Sequence, residues 1–110
     1  AAVHDGPVGC DVERITSFDK TVARECLTDR ELTWVKRAQP GSDRARAFIR
    51  LWVRKESYAK AVGRGLDIDF RTFSALDQPP FGWSWQDFDY GDGHLGCVCI
   101  RLKRGHLQSV

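Results

Sequence analysis

The chain has 110 residues, of which 42% are hydrophobic and 29% are charged, and this composition suits one domain with a single modest core. Its formal net charge is only +2, which is too small to indicate nucleic acid as a partner. No apolar run approaches the roughly 18 residues of a membrane span, and no signal peptide is expected, so we predict neither membrane attachment nor export.

The beginning of the chain predicts two strand arms, over residues 1–3 and 8–13, on either side of a His-Asp-Gly-Pro turn at residues 4–7. His4 is expected to be a solvated turn residue and not a catalytic group. The chain opens on Ala-Ala-Val and not on methionine, so we expect it to be a piece of a longer protein or an excised domain.

Two short helices are predicted next. The first covers residues 17–26. The second opens at Thr28, because Thr28 and Glu31 have the spacing of a capping box, in which the hydroxyl caps the first turn and the glutamate reaches back to it. This second helix is expected to stop before Pro40, because proline cannot continue a helix interior.

The strongest predicted element is a long helix that is capped by Ser42 or Asp43. Gly63 is expected to end it, because glycine adopts the left-handed conformation beyond a helix C-terminus at little cost. The apolar residues of this helix recur at helical spacing, and they are Ala45, Phe48, Ile49, Trp52, Val53, Ala59 and Val62.

The last third of the chain predicts strands. A short strand is expected over residues 70–76, and residues 83–90 and 95–102 are expected to form a hairpin across the Gly-Asp-Gly sequence at 91–93. A flexible tail is predicted over residues 103–110. The sum is an α+β domain, in which a small antiparallel sheet packs against one long helix and shorter helices complete the core.

The four cysteines include no Cys-x-x-Cys pair, so a zinc site or a thioredoxin-like motif has little support. Cys97 and Cys99 stand two apart in an apolar run, so they share one face if this run is a strand. Because free cysteine is among the most buried residue types, we expect buried free thiols. Free thiols fit a reducing cytoplasm, and we predict a cytoplasmic protein.

Asp11 and Glu13 form the first candidate site. Strand side chains alternate, so both carboxylates project from one face of the predicted first strand. Two such charges repel each other unless a cation lies between them, and Mg²⁺ favours carboxylate oxygens and commonly shares its shell with substrate phosphates. An Asp-x-Glu pattern is also typical of an edge strand with two solvated acids, so both interpretations stay open.

A second candidate site lies in the long helix. Trp52, Glu56 and Lys60 are four residues apart and line one stripe, with Lys55 on its flank. They are compatible with an ordinary salt-bridged surface, since Glu56 to Lys60 is the favourable orientation of such a pair. They are also compatible with a third carboxylate for a metal ion and two lysines for phosphate oxygens. Arg64, in the Gly-Arg-Gly-Leu sequence after the helix, adds a further cation.

The order and separation of the two candidate sites are informative. Gly-Cys-Asp-Val-Glu at residues 9–13, followed by Phe-Ile-Arg-Leu-Trp-Val-Arg-Lys-Glu-Ser-Tyr-Ala-Lys-Ala-Val-Gly-Arg-Gly-Leu at residues 48–66, resembles the two signature motifs of the 4'-phosphopantetheinyl transferase superfamily. Trp52 is typical of the larger, surfactin-synthetase-activator type. Leu-Thr-Asp-Arg-Glu at residues 27–31 and the predicted hairpin extend the resemblance over nearly all of residues 1–110.

The resemblance implies one half of a pseudo-dimeric phosphopantetheinyl transferase fold. Enzymes of this family move the 4'-phosphopantetheine arm of coenzyme A onto a serine hydroxyl of an acyl or peptidyl carrier protein, with Mg²⁺ or Mn²⁺ as the metal. Something must accept the serine proton, and Glu56, directly or through metal-bound water, is the candidate general base, with Asp11 as a weaker candidate. The binding residues that the resemblance implies are Asp11, Glu13 and Glu56 for the metal, and Lys55 and Lys60 for the phosphates of coenzyme A. Arg64, the further cation after the helix, is also expected to bind coenzyme A.

The chain resembles only the second half of the larger type. We therefore expect coenzyme A to need a further surface, from a missing N-terminal half-domain or from a second subunit. Two alternatives stay open. One is a self-sufficient homo-oligomeric holo-acyl-carrier-protein synthase, since the small synthases of the family have about this length. The other is a non-catalytic module that kept the fold and binds a carrier protein.

A locally basic stretch precedes the long helix. Carrier proteins of the family are generally acidic around the modified serine, so the resemblance suggests that part of this stretch binds the carrier. A solvated helical surface is the plainer interpretation of the same charges. The basic residues are Arg24, Arg30, Lys36, Arg37, Arg44 and Arg46.

Overall fold

The computed structural model of the chain describes residues 6–63 and 68–102. The strand arm predicted over residues 1–3, His4, Arg64 and the tail from residue 103 lie outside these residues. The elements follow one another as β1 (Val8–Arg14), α1 (Lys20–Cys26), α2 (Asp29–Arg37), α3 (Ser42–Val62), a 3₁₀ turn (Phe70–Thr72), β2 (Trp83–Asp89) and β3 (His94–Arg101).

The three strands form an antiparallel sheet in the order β1-β3-β2, so β3 lies in the middle. Asp11 of β1 and Asp87 of β2 both pair with Cys97, one on either side of β3. The long helix α3 packs across one face of the sheet, against β1 and β3. This inner face carries Leu95, Cys97 and Cys99, which are buried. The predicted α+β domain, with a small antiparallel sheet against one long helix, is confirmed.

The helix α3 supplies much of the core because its apolar residues recur at helical spacing. Burial of a leucine-sized side chain contributes about 1.5–3 kcal/mol, so several such side chains fix the helix on the sheet. No helix within residues 6–63 and 68–102 is long and apolar enough to cross a membrane. The buried residues of α3 that are apolar are Ala45, Phe48, Ile49, Leu51, Val53, Ala59 and Ala61.

The starts of the two short helices follow local side-chain chemistry. α1 begins later than the predicted residue 17, because Asp19 caps it and accepts a hydrogen bond from the backbone N–H of Thr21 at 2.8 Å. The capping box of α2 is confirmed, since Thr28 Oγ1 accepts from the backbone N–H of Glu31 at 3.1 Å. In return Glu31 Oε1 accepts from the backbone N–H of Thr28 at 2.8 Å.

The long helix α3 begins at Ser42 and runs to Val62. The cap position is held by Gly41, and no side chain caps the helix, so the predicted cap at Ser42 or Asp43 is wrong. The backbone N–H groups of Arg44 and Ala45 donate instead to the carbonyl oxygens of Gln39 and Gly41, each at 3.0 Å. Gly63 adopts a left-handed conformation with φ 72° and ends the helix as predicted.

The strand predicted over residues 70–76 is wrong. Phe70–Thr72 form a 3₁₀ turn that Asp69 caps, with its Oδ1 accepting from the backbone N–H of Arg71 at 2.9 Å. The hydroxyl of Thr72 donates to the carbonyl of Asp69 at 2.6 Å. These local bonds compete with strand pairing, which is the usual effect of an aspartate at a turn.

The cysteines divide between the two faces of the sheet and the helices. Cys97 and Cys99 are buried on the inner face, as predicted, and burial raises the pKa of Cys97 to about 11 and that of Cys99 to about 12. All four cysteines are free thiols. The expected burial is wrong for Cys10, which is exposed because it projects from the outer face of β1, and for Cys26, which is half-buried.

Candidate active site

Gly9 brings β1 and α3 into direct contact. A Cβ atom at this position would lie 2.1 Å from the carbonyl oxygen of Ser57 and 2.3 Å from the amide nitrogen of Ala61. Only glycine leaves room for such a close approach of two backbones. The contact places the strand that carries Asp11 directly against the helix that carries Glu56.

Four charged side chains lie around this contact. Asp11 is 6% exposed on the inner face of β1, and Glu13 follows it on the same face. Lys60 donates from Nζ to Asp11 Oδ1 at 2.8 Å, while its side chain stays 52% exposed. Glu56 lies one turn before Lys60 on α3, close enough to Asp11 for their charges to interact. We call these residues the acidic cluster: Asp11, Glu13, Glu56 and Lys60.

The acidic cluster is short of positive charge. Burial, the adjacent carboxylate of Asp11 and the charge of Glu56 together raise the pKa of Glu13 to about 7, although Lys60 opposes them. Burial and the charge of Asp11 likewise raise the pKa of Glu56. Asp11 Oδ2 is buried and has no hydrogen-bond partner among the described residues. A further cation beside Asp11 would supply what the cluster lacks.

The chemistry of these carboxylates fits a hard divalent cation such as Mg²⁺, which prefers oxygen ligands. In the part of the chain that the structure describes, no three acidic, histidine or cysteine side chains are arranged to hold a metal ion. Lys60 instead supplies the positive charge next to Asp11. Metal binding by all three carboxylates therefore requires a rearrangement of the cluster.

Lys55 does not lie in the acidic cluster. Its side chain is fully buried, and its Nζ donates to Glu31 and to three backbone oxygens. Successive positions point about 100° apart around a helix. This is why Lys55 enters the core while Glu56, the next residue, reaches the cluster. Arg64, the other predicted coenzyme A ligand outside the cluster, lies outside the described residues.

Glu31 has a role that its sequence pattern did not predict. Its capping-box bond was predicted, but the same carboxylate also binds the ammonium group of Lys55. Its second oxygen, Oε2, accepts from the backbone N–H of Ala75 at 2.7 Å. A capping glutamate carries no signal of a lysine partner that is 24 positions away.

Trp52 belongs to an aromatic group beside the cluster. Its ring centroid lies 6.3 Å from that of Phe48 and 5.6 Å from that of Phe70, in stacked and edge-on arrangements. The predicted stripe of Trp52, Glu56 and Lys60 therefore divides in two. The tryptophan packs against other aromatic rings, and the two charged residues face Asp11.

The basic stretch divides into paired and unpaired residues. Arg30 forms an ion pair with Asp77 at 2.7 Å, and Arg46 forms one with Asp89 at 2.6 Å. Lys36 lies near Lys20, Arg24 and Arg44. Slight burial and the positive charges of these neighbours lower the pKa of Lys36. We call this group the cation cluster, and its members come from three helices: Lys20, Arg24, Lys36 and Arg44.

An apolar groove of about 560 Å³ adjoins the cation cluster. Arg44 belongs to both, and its guanidinium donates to the carbonyl oxygens of Lys36 at 2.7 Å and Ala38 at 3.1 Å. The groove lies between the segment before α1 and the turn before α3. The lining residues are Ile15, Thr16, Ser17, Phe18, Pro40, Gly41, Ser42, Arg44 and Ala45.

The family model of the 4'-phosphopantetheinyl transferase superfamily matches residues 7–89. The 4'-phosphopantetheinyl transferase gsp of Aneurinibacillus migulanus is 36% identical over 72 residues, which cover 66% of this chain and 30% of that protein. A 4'-phosphopantetheinyl transferase of Bacillus subtilis is 28% identical over 105 residues, which cover 96% of this chain and 40% of that protein.

A solved structure, the holo-[acyl-carrier-protein] synthase of Thermotoga maritima, has a similar fold. It superposes with a TM-score of 0.64 at 19% sequence identity, covering 89% of this chain and 64% of the synthase. The fold and the acidic cluster thus define an α+β half-domain with a charged site between its first strand and its long helix. The family match covers more than half of the chain, and the chain belongs to the 4'-phosphopantetheinyl transferase superfamily.

The resemblance drawn from the two signature motifs is confirmed. The chain spans between 30% and 40% of the length of the curated relatives that it matches.

Proposed function

We propose that this chain takes part in the transfer of the 4'-phosphopantetheine arm of coenzyme A to a serine hydroxyl of an acyl or peptidyl carrier protein. The observation that carries the proposal is the acidic cluster. There Asp11 keeps a buried oxygen without a partner among the described residues, beside Glu56 and Lys60. Membership of the superfamily supports the same activity. The proposal covers carriers of nonribosomal peptide, polyketide and fatty acid synthesis alike.

The metal of the proposed site is Mg²⁺, with Mn²⁺ as the alternative, and its ligands are Asp11, Glu13 and Glu56. When bound, the ion offsets negative charge on the diphosphate of coenzyme A. The mutual repulsion that raises the pKa values of Glu13 and Glu56 supports the assignment, because a cation would relieve it.

Glu56 is the proposed general base. The serine oxygen of the carrier attacks the phosphorus atom that bears the pantetheine arm. The bond from that phosphorus to the bridging oxygen breaks, and adenosine 3',5'-bisphosphate leaves. The serine proton passes to the carboxylate of Glu56, which lies beside Asp11 in the acidic cluster. Asp11 is the second candidate, because its Oδ1 is already engaged with Lys60.

Lys60 is proposed to bind the diphosphate oxygens of coenzyme A. Its ammonium group has three donors, and its side chain is 52% exposed, so a phosphate can reach it. Arg64 is proposed to add a second cation to the same phosphates. For Lys55, predicted for this role as well, phosphate binding would require the ammonium group to leave the buried oxygens that it binds.

Intact-mass spectrometry of a carrier protein tests the transfer. The chain is mixed with coenzyme A, Mg²⁺ and an apo carrier, once alone and once with a first half-domain from a larger-type relative. We expect the carrier to gain the mass of the arm when the half-domain is present. Glu56→Gln or removal of Mg²⁺ with EDTA should abolish the gain. A carrier that stays unmodified in every mixture contradicts the proposed enzyme.

The same mixtures separate the two alternatives. Modification by the chain alone, in a fraction that sediments as an oligomer, favours a self-sufficient homo-oligomeric holo-acyl-carrier-protein synthase. Carrier binding without modification in any mixture favours a non-catalytic carrier-binding module. The charged residues Asp11, Glu56 and Lys60 support the catalytic alternative, because a binding module has no need of a cluster of mutually repelling acids.

The cation cluster and the apolar groove are the proposed docking surface for the carrier. An acidic amphipathic helix presents charge to the first and apolar side chains to the second. Lys20, Arg24 and Lys36 support this placement, because their positive charges lie close together and none of the three forms an ion pair with an acid among the described residues. Arg30 and Arg46, from the same basic stretch, are each held by an aspartate and are assigned no part in docking.

A charge reversal tests the docking surface. The double variant Lys20→Glu/Arg24→Glu should weaken carrier binding by about tenfold or more in low salt, because complementary charges govern encounter and alignment. Coenzyme A binding should stay unchanged. Arg30→Glu/Arg46→Glu makes the same change in net charge at two arginines that are assigned no part in docking, and it is the matched control. Equal losses of carrier and coenzyme A binding would contradict the docking surface.

The outer face of the sheet is the proposed seat of a second α+β half-domain. It exposes apolar side chains that a lone domain would bury, with Val12 52% and Tyr90 55% exposed. The rings of Phe88 and Tyr90 lie 6.5 Å apart on this face. The matched part makes up only 30% and 40% of the length of two relatives, which supports a half-domain as the occupant. We call Val8, Val12, Phe88 and Tyr90 the outer sheet face.

A cytoplasmic location is also proposed. Free thiols persist where the compartment is reducing. The four free thiols, among them the exposed Cys10, support the location. Export of the chain to an oxidising medium, followed by mass spectrometry of alkylated thiols, would show whether the exposed Cys10 survives there.

A further inference from the structure

The ammonium group of Lys55 is saturated by protein oxygens. It donates to the carboxylate of Glu31 and to the carbonyl oxygens of Cys26 at 3.1 Å, Phe70, and Phe73 at 2.9 Å. An ammonium group has only three protons, so four acceptors leave none of them for a ligand. The side chain is 0% exposed.

The carboxylate of Glu31 is saturated in the same way. Oε1 accepts from the backbone N–H of Thr28 and from Lys55, and Oε2 accepts from the backbone N–H of Ala75 at 2.7 Å. This side chain is also 0% exposed. Buried charges of this kind are tolerated only when each is paired and fully hydrogen-bonded. The pair meets both conditions.

The Lys55–Glu31 pair joins four separate segments of the chain. Cys26 ends α1, Glu31 lies in the first turn of α2, and Lys55 lies in the middle of α3. The fourth segment, residues 70–75, follows the end of α3 and contributes two carbonyls and one N–H. Lys55 immediately precedes Glu56. The pair therefore fixes the rotation of α3 at the turn from which Glu56 reaches the acidic cluster.

We infer that Lys55 is a positioning residue that orients Glu56 through its buried pair with Glu31, and that it does not bind the phosphates of coenzyme A. The inference rests on the proposed function for the role of Glu56. Release of the ammonium group toward a ligand would leave the carboxylate of Glu31 buried without a cation, which is the costly state of such a pair. Lys60 differs, because its side chain is 52% exposed and its Nζ makes one ion pair among the described residues, with Asp11, so it can donate to a phosphate oxygen while that pair stays in place.

A double-mutant cycle on the chain tests the pair. Lys55→Met and Glu31→Gln each leave one buried charge, and each should lower the midpoint of urea unfolding strongly. The double variant Lys55→Met/Glu31→Gln contains neither charge and should recover more than half of the loss. Additive losses, with the double variant the least stable of the three, would overturn the pair as a unit.

Coenzyme A titrations separate positioning from phosphate binding. The double variant should bind coenzyme A, or show a KM for it, within about threefold of the wild type, while kcat falls about tenfold because Glu56 is misplaced. Lys60→Met should do the opposite and raise the KM about tenfold. A double variant that loses coenzyme A affinity as Lys60→Met does would overturn the inference. If neither the variants nor the wild-type chain turn over in the presence of the first half-domain, the proposed function fails, and the unfolding cycle still decides on the pair.

Discussion

Asp11 combines burial, negative charge and an oxygen without a partner among the described residues. An isolated carboxylate in this position is costly, because the neighbouring acids add repulsion to the loss of water. Lys60 compensates only one of the two oxygens, at 2.8 Å. A residue that is poorly satisfied by its own protein is a common mark of a binding site, where the missing partner is the ligand.

Asp11→Asn should abolish Mg²⁺-dependent transfer while leaving the fold intact. The variant removes a metal ligand, but it also removes repulsion with Glu13 and Glu56, so the free energy of unfolding should change by less than about 1 kcal/mol. Carrier mass spectrometry gives the activity and urea unfolding gives the stability. Asp43→Asn, on the exposed first turn of α3, is the control and should keep full turnover. Unaltered transfer by Asp11→Asn would remove this residue from the site.

At the scale of single residues, the sequence could predict the acidic cluster but not the place of Lys55. Periodicity places Asp11 with Glu13 on one strand face and Glu56 with Lys60 on one helix face, and the resemblance to the family predicted that the two pairs form one site. Lys55 is different, because a lysine in a helix is ordinarily a surface residue. Only the tertiary structure brings it to Glu31, and no local pattern records that contact.

Among the elements, the contact of β1 with α3 determines where the cluster forms. Gly9→Ala should destabilise the chain by about 3 kcal/mol or more, because the added Cβ would meet backbone atoms that cannot move away independently. Thermal unfolding checks the prediction. Cys10→Ala, at the neighbouring exposed position, should have an effect within about 0.5 kcal/mol. A Gly9→Ala chain as stable as the wild type would contradict the close approach of the two backbones.

The ion pair of Arg54 with Asp87 joins α3 to the edge strand β2. Arg54 Nε donates to Asp87 Oδ1 at 3.0 Å, Nη2 binds Oδ2, and Nη1 donates to the carbonyl of Ala75 at 2.7 Å. Burial raises the pKa of Asp87, but the hydrogen bonds and the charge of Arg54 lower it by more. The pKa of Asp87 therefore lies below its ordinary value. The side chains are 24% and 28% exposed, so the charge is only partly screened.

A depressed carboxylate pKa stabilises the fold above the unfolded pKa of about 4, and this stability is lost as the pH falls through the folded pKa. Asp87→Asn should therefore be less stable than the wild type by about 1–2 kcal/mol at pH 7, and the difference should shrink below pH 4. Urea unfolding at several pH values measures it. Asp77→Asn, in the more exposed pair with Arg30, should show almost no difference at either pH. A gap for Asp87→Asn that stays constant with pH would contradict the assignment.

Element prediction succeeded where side-chain spacing dictates structure and failed where a turn residue decides. The long helix, the hairpin and the capping box at Thr28 followed from periodicity and local caps. Residues 70–76 have the composition of a strand, but the side chain of Asp69 accepts a hydrogen bond from the backbone N–H of Arg71, and the segment forms a turn. The predicted cap of α3 was wrong for a related reason. The cap position is held by Gly41, whose φ of 97° suits glycine, and no side chain caps the helix.

For the whole molecule, the outer sheet face predicts association. Val12 and Phe88 both lie opposite Gly96 across the sheet, and the ring of Tyr90 lies close to that glycine, so the apolar side chains are contiguous. In a solution of this chain alone, we expect a second copy to take the place of the half-domain. Static light scattering should show mass rising with concentration.

Phe88→Lys/Tyr90→Lys should weaken that self-association by about tenfold or more, because each variant places a charge in an apolar interface. The stability of the single chain should stay within about 1 kcal/mol, since both side chains are largely exposed. Phe81→Lys is the matched control, because Phe81 is 88% exposed but does not lie on this face. Equal masses for the wild type and the double variant would argue against this face as the interface.

The buried pair of Lys55 and Glu31 has a consequence for how sequences of this fold can drift. Replacing either residue alone by a neutral one leaves its partner as a buried, unpaired charge, so single substitutions give unstable proteins. Replacing both residues together leaves no buried charge. Saturation mutagenesis of both positions together should therefore yield two groups of folded chains, one with an ion pair and one with two apolar residues. Combinations that keep only one charge should be absent from the folded chains.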